Sequence, residues 1–256
     1  MIKLSCILAG IRPGNWLRLY DSIASSFSGT WELVIVSPYY LPLDIRNKPN
    51  VKLIRDFGSP VRCMDIGLEH CEGEYITWAA DDGYFLPGAL DISMSILEGN
   101  EKNVVIGKYY EGAGNNPLMN SSAYYYVNYH DSSRSKFIDN NCMMVMEGVV
   151  PAKAIREAGG WDASLFEVCP MAFCDLSVRL FNMGYVFIVQ PDPMFKCSHM
   201  PGHEGDHGPV HDGQTQHDEP TFKSIYNQPE SVNRKEIPID NWKQAPERWA
   251  RRFGNG

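Results

Sequence analysis

Short apolar runs, each cut off by polar or loop-forming residues and separated by helix-patterned stretches, dominate the N-terminal third of the chain. Residues 4–11 end in Arg12-Pro13-Gly14, residues 31–36 stop at Ser37-Pro38, residues 51–54 form a third run, and residues 75–80 lead into Asp81-Asp82. Between the first two runs, apolar positions 16, 19, 20 and 23 recur at helical spacing, and positions 63, 64, 66, 67 and 68 suit a second helix before Gly73. This alternation predicts βαβ units and a mostly parallel sheet. Ligands of such sheets bind beyond the carboxyl ends of the strands, so the loops at residues 10–14, 37–40 and 81–83 are expected to converge on one site.

Further along, helices are expected over residues 87–97, 151–158 and 175–183, and strands over 103–107 and 185–189. Residues 111–135, rich in Gly, Asn, Ser and Tyr, read as a long excursion of the kind that serves as a lid or binding segment. His203, His207 and His211 recur every four residues, but Gly202, Gly205, Gly208 and Pro209 argue against a helix, and a loop ordering over bound ligand is expected for residues 203–218. The expected organisation is one domain over residues 1–219 and a C-terminal extension over residues 220–256 that packs back onto it.

The net charge of −8 disfavours nucleic acid or an anionic membrane as partner, although from Pro220 onward basic residues outnumber acidic ones. Seven cysteines without regular spacing suit reduced thiols. The N-terminal apolar stretch is short for a signal peptide and no run of about 18 apolar residues occurs. A cytoplasmic protein without a membrane span is the expectation.

Chemistry concentrates at Gly73-Glu74-Tyr75-Ile76-Thr77-Trp78-Ala79-Ala80-Asp81-Asp82-Gly83-Tyr84-Phe85-Leu86-Pro87. An apolar strand ending in two adjacent carboxylates at a sheet edge can hold a divalent cation against a diphosphate. Asp-Asp-Gly is also ordinary turn chemistry. Arg62 suits a phosphate partner or a solvated helix residue. Gly159-Gly160-Trp161-Asp162 is a helix stop that leaves an indole and a carboxylate either at a cleft edge or in the core. Asp175 suits a helix N-cap or a proton acceptor.

The acidic segment resembles that of inverting, family-2 nucleotide-sugar glycosyltransferases with the GT-A fold. It is most similar to the spore-coat-polysaccharide variant, in which two adjacent acids follow an uncharged residue, here Ala80. The resemblance extends over residues 5–203. It implies an α/β fold with a mostly parallel, Rossmann-like central sheet flanked by helices. The activity implied is transfer of a sugar from a nucleotide-diphosphate donor, a UDP-sugar, to a hydroxyl of a glycan or lipid-linked sugar. Asp82 and His199 would ligate Mn²⁺ or Mg²⁺. Ala9, Gly10, Arg12, Ser37, Arg62, Asp65, Ala80 and Asp81 would line the donor pocket, and Trp161 and Asp162 the acceptor side. The family's Glu-Asp pair, which carries the catalytic base, falls on Ala172-Phe173, so Asp175 or Glu167 is expected to take that role. A non-catalytic carbohydrate-binding relative and a nucleotidyltransferase are the rival readings; the latter needs a Gly-rich basic phosphate loop that Gly10-Ile11-Arg12-Pro13-Gly14 matches poorly.

Overall fold

The computed structural model describes residues 1–111, 125–126, 142–197 and 205–255. The chain runs β1 (Leu4–Ala9), α1 (Trp16–Ser26), β2 (Trp31–Ser37), α2 (Leu43–Arg46), β3 (Val51–Arg55), α3 (Pro60–His70), β4 (Tyr75–Ala79), β5 (Gly83–Phe85), α4 (Ala89–Leu97) and β6 (Asn103–Glu111). There follow β7 (Tyr125–Tyr126), β8 (Met143–Met144), β9 (Gly148–Pro151), α5 (Ala152–Ala158), α6 (Cys169–Asn182), β10 (Val186–Cys197), α7 (Gly208–Gly213), α8 (Glu219–Tyr226) and α9 (Ala250–Phe253).

Eight strands form one sheet in the order β3-β2-β1-β4-β9-β6-β10-β5. The first four are parallel, as the βαβ pattern predicts, whereas β9 runs antiparallel to both β4 and β6. Alternation along β1 divides the core: Leu4, Cys6 and Leu8 pack with Trp16, Leu19 and Ile23 of α1 and Leu90 of α4, while Ile7 packs with Met64 of α3, Ile155 of α5 and Leu176 of α6. The result is a sheet with helices on both faces.

One buried carboxylate ties the parallel half together. Glu32 on β2 accepts from Ser5 Oγ at 2.5 Å and the Glu72 amide at 2.6 Å, and its other oxygen lies 2.8 Å from Lys52 Nζ on β3. Burial alone would raise this carboxyl, but the donors Lys52, Ser5 and Glu72 hold it below its ordinary value. A depressed folded-state pKa contributes stability that is present above the unfolded value and lost as pH falls through the folded one. Glu32→Gln should therefore cost about 1–3 kcal/mol at pH 7. Urea titrations should also show a shallower stability loss below about pH 4 than in the wild type; parallel pH profiles would refute this.

Several elements depart from their expected bounds. Helix α6 begins at Cys169, with Pro170 in its first turn, so Asp175 is a mid-helix residue rather than a cap. Strands β6 and β10 extend to Glu111 and Cys197 because each supplies the other's ladder across a register shift near Pro193. The His-rich segment, expected as a loop, is helical where described: a 3-10 turn at Gly205–His207, α7, a π-type turn at Gln214–Asp218 and α8 run on as one arm. Gly213 lets this arm approach Val168 and Trp249 closely, and Phe222 and Tyr226 are wholly buried, which offsets a glycine cost of about 1 kcal/mol. The expected boundary at residues 219 and 220 falls inside the arm.

The segment beyond it is bound to the rest of the chain by backbone contacts. The Trp249 amide donates to Phe57 O at 3.0 Å and the Ile237 amide to Ala158 O at 3.2 Å. At Gly159 and Gly160, both with positive φ, a side chain would collide with the Ile237 carbonyl and the Asp65 carboxylate respectively, which requires glycine at both. All seven cysteines are present as thiols. No helix among the described residues is long and apolar enough to cross a membrane.

Candidate functional site

The parallel register of β1 and β4 pairs Leu8 with Ala79, so the loop after β1 and the acidic residues after β4 leave the sheet side by side. A cavity of about 380 Å³ opens there. Ala9, Ile11 and Arg12 come from the β1 loop, and Trp78, Ala80, Asp81 and Asp82 from the end of β4. Met64 of α3, Met146 and Glu147 from the segment just before β9, and Phe173 of α6 line it further. The helical arm closes another wall with Asp206, His207 and His211, and α9 contributes Arg252.

Asp81 is buried and builds the loop. It accepts from the Ile11 and Arg12 amides, both at 2.5 Å, and from the Arg12 guanidinium, while its carbonyl accepts from Asn15 Nδ2 at 2.8 Å. Arg12 also reaches Asp206 at 2.9 Å. Burial works to lower the Arg12 guanidinium, but Asp81 and Asp206 outweigh it and hold it above its usual value. Arg252 shifts the other way, lowered by burial and by the neighbouring charge of Arg12 against the pull of Asp206. Its guanidinium donates to the Asp206 carbonyl at 3.3 Å, and no carboxylate lies within ion-pair distance among the described residues.

Two further carboxyls meet the cavity. Asp82 lies 3.9 Å from His207 Nε2. Burial raises its pKa, with Arg12 opposing and Asp81 adding to the rise. Glu147 is also held well above the ordinary range, by burial and then by the charge of Asp82. Its Oε2 is shielded from solvent and has no hydrogen-bond partner among the described residues. The backbone around it is fixed: Gly107 N donates to Glu147 O, Trp78 Nε1 to Met146 O and Thr77 Oγ1 to Gly148 O, each at 2.7 Å. Sequence reasoning passed over Glu147, since it stands in no motif. The signal available was a lone acid inside the apolar run of residues 142–150.

Thus Ala9, Arg12, Ala80, Asp81 and Asp82 line one cavity, and other expected site residues lie elsewhere. Gly10 is buried beside Trp16, its amide donating to Val36 O. Ser37 is buried and its Oγ accepts from the Tyr39 amide, closing the turn after β2. Arg62, expected at the donor phosphates, is paired with Asp56 at 3.1 Å and donates to the Trp242 and Ala245 carbonyls, so it fastens the C-terminal segment instead. Asp65, also expected at the donor, is buried under Gly160 and accepts from the Trp161 amide at 2.7 Å.

The acceptor-side and catalytic expectations are corrected in the same way. Trp161 is wholly buried, edge-on to Trp78 with ring centroids 5.4 Å apart, and offers no exposed stacking face. Asp162 is buried against Ser164 and Arg234. Asp175, expected as the base, is fully buried against Arg179 at 2.8 Å and Tyr226 Oη at 2.7 Å, away from the cavity lining. Glu167 is paired with Arg251 at 2.6 Å, likewise outside the lining. His199 and His203 lie outside the described residues.

A divalent cation at this cavity could take Asp82 and His207 as ligands, and a partly buried carboxyl with a raised pKa is one that a cation would stabilise. That donor set suits an ion such as Mg²⁺ or Mn²⁺ that completes its shell with water and substrate phosphate oxygens. A closer three-ligand group among the described residues, Glu167, His217 and Asp218, lies elsewhere. There Asp218 already accepts the Glu167 and Val168 amides and faces His217, and Glu167 holds Arg251.

No protein-family model and no curated protein sequence matches the chain. Solved structures do. S. aureus TarS residues 1–349 superpose with a TM-score of 0.53 at 14% identity, covering 77% of this chain and 60% of that one. The same piece in complex with UDP-GlcNAc gives 0.56 at 15% identity, over 80% of this chain and 60% of that one. A longer S. aureus TarS structure gives 0.57 at 14%, over 82% of this chain and 39% of that one. A UDP complex of the shorter piece also matches, with a TM-score of 0.54. The chain therefore spans about 60% or less of these neighbours' lengths. At such identities the likeness speaks for architecture alone: this chain shares the helix-flanked mixed sheet of these neighbours.

Proposed function

We propose that the protein transfers a sugar from a UDP-sugar to a hydroxyl acceptor with inversion at the anomeric carbon. The observation that carries this reading is the placement of Arg12, Arg252 and Asp82 around one cavity at the carboxyl edge of a glycosyltransferase fold. Arg12 is held by Asp81 and Asp206, whereas Arg252 has no carboxylate partner among the described residues, so an incoming diphosphate would supply an anion for it. Asp82, with His207 beside it, would hold Mn²⁺ or Mg²⁺. That cation would supply Lewis-acid stabilisation of the leaving diphosphate. Trp78 and Phe173, stacked with centroids 5.2 Å apart, give the cavity an apolar surface against which a sugar can rest. A glycan or lipid-linked sugar fits as acceptor, since the chain's acidity opposes a nucleic acid.

The test is thermal unfolding with UDP and UDP-GlcNAc, with and without Mn²⁺. A ligand at 100 times its Kd stabilises the folded state by about 2.7 kcal/mol, a readily measured shift. Asp82→Asn should keep its ligand-free melting temperature and lose the Mn²⁺-dependent part of the UDP shift. An identical Mn²⁺ response in the variant would show that Asp82 is not the ligand, and a wild type unmoved by either nucleotide would sink the reading.

A further inference from the structure

Most acidic side chains near the cavity are already committed. Asp81 holds the β1 loop, Asp206 faces Arg12, Glu167 is paired with Arg251, and Asp175 is enclosed by Arg179 and Tyr226. Glu147 is different: it lines the cavity, its Oε2 has no hydrogen-bond partner among the described residues, and neighbouring backbone contacts fix its position. It stands just before β9, which lies on the far side of β4 from β1. The Arg12 loop and Glu147 therefore enter the cavity from opposite sides of β4, the strand that leads into Asp81 and Asp82. Inverting transfer needs its proton acceptor on the face of the sugar opposite the leaving group.

Resting on the transfer reading above, we infer that Glu147 is the catalytic residue that deprotonates the acceptor. An oxygen lone pair of the acceptor hydroxyl forms the new bond to the anomeric carbon. The bond from that carbon to the β-phosphate oxygen breaks, its electron pair leaving with UDP, and the hydroxyl proton passes to the Glu147 carboxylate. A role as a third metal ligand fits less well, because Glu147 does not converge with Asp82 and His207 into a three-ligand cluster.

The experiment compares the wild-type chain, Glu147→Gln and Glu147→Ala, with UDP-GlcNAc as probe donor, water as acceptor and Mn²⁺ present. Both variants should keep the UDP-induced thermal shift while UDP release falls by about 10²–10⁴-fold. Azide, a nucleophile with no proton to lose, should restore release in Glu147→Ala by about tenfold or more and leave Glu147→Gln largely unrescued, because the amide still fills the space. Ligand-free melting temperatures should stay level or rise, since the carboxyl oxygen removed has no partner to lose. Unchanged UDP release, a lost UDP shift, absent azide rescue or lower melting temperatures in both variants would each overturn the assignment. A wild type that binds neither UDP nor UDP-GlcNAc would instead defeat the transfer reading, and this role with it.

Discussion

Replacing Asp175 with alanine is expected to destabilise the fold by about 3–5 kcal/mol, enough to leave many domains of this size partly unfolded. The carboxylate has no solvent exposure and meets Arg179 Nε at 2.8 Å one helical turn away and Tyr226 Oη at 2.7 Å, with Arg234 Nη1 at 3.6 Å. Arg179 is equally buried and spends its other nitrogens on the Ala158 and Gly160 carbonyls, which end α5. Without Asp175 the Arg179 charge stays in the core with no carboxylate at ion-pair distance among the described residues, and the Tyr226 hydroxyl loses the Asp175 acceptor; the uncompensated charge is the larger cost. Urea denaturation is the measurement. A variant with wild-type stability and abolished transfer would restore Asp175 as the base, whereas the enclosed geometry requires activity to follow the folded fraction.

For Arg252→Ala the expected loss is in binding rather than folding. Charge-assisted hydrogen bonds contribute about 1.5–3 kcal/mol, which corresponds to roughly 10–150-fold in UDP affinity. The guanidinium makes only a 3.3 Å contact to the Asp206 carbonyl, and burial together with the Arg12 charge disfavours its protonated form. Its removal should leave the ligand-free melting temperature unchanged or slightly higher. Arg12 is a poorer probe, because deleting it would strand the buried Asp81 carboxylate. Arg252→Lys should recover part of the affinity, as an ammonium keeps the charge and loses the two-pronged geometry. Calorimetry giving equal UDP affinity in wild type and Arg252→Ala would remove the residue from the donor site.

The βαβ half and the acidic end of β4 were legible in the chain itself. Apolar periodicity reports local backbone form, and consecutive parallel strands connected by helices leave few topologies. The same rule brings Arg12, Asp81 and Asp82 to one edge of the sheet. Which polar groups face a cavity and which are spent in the core depends on partners distant in sequence. Arg62 meets the Trp242 carbonyl 180 residues away, Asp175 meets Tyr226 51 residues away, and Trp161 is sealed against Trp78. Each of these residue types suits an active site equally well, so composition and spacing carry no information that separates the roles. The helical arm formed despite its glycines because Phe222 and Tyr226 gain burial that local propensity does not count. Glu147 and Arg252 reached the cavity only through tertiary structure, one where β9 inserts antiparallel between β4 and β6, the other where the C-terminal segment docks beside Phe57. The sequence by itself determined the parallel half of the sheet and its acidic edge, because short-range patterning specifies elements and their order. Tertiary structure decided which charges remain available for chemistry, because hydrogen-bond satisfaction and burial are settled by long-range contacts.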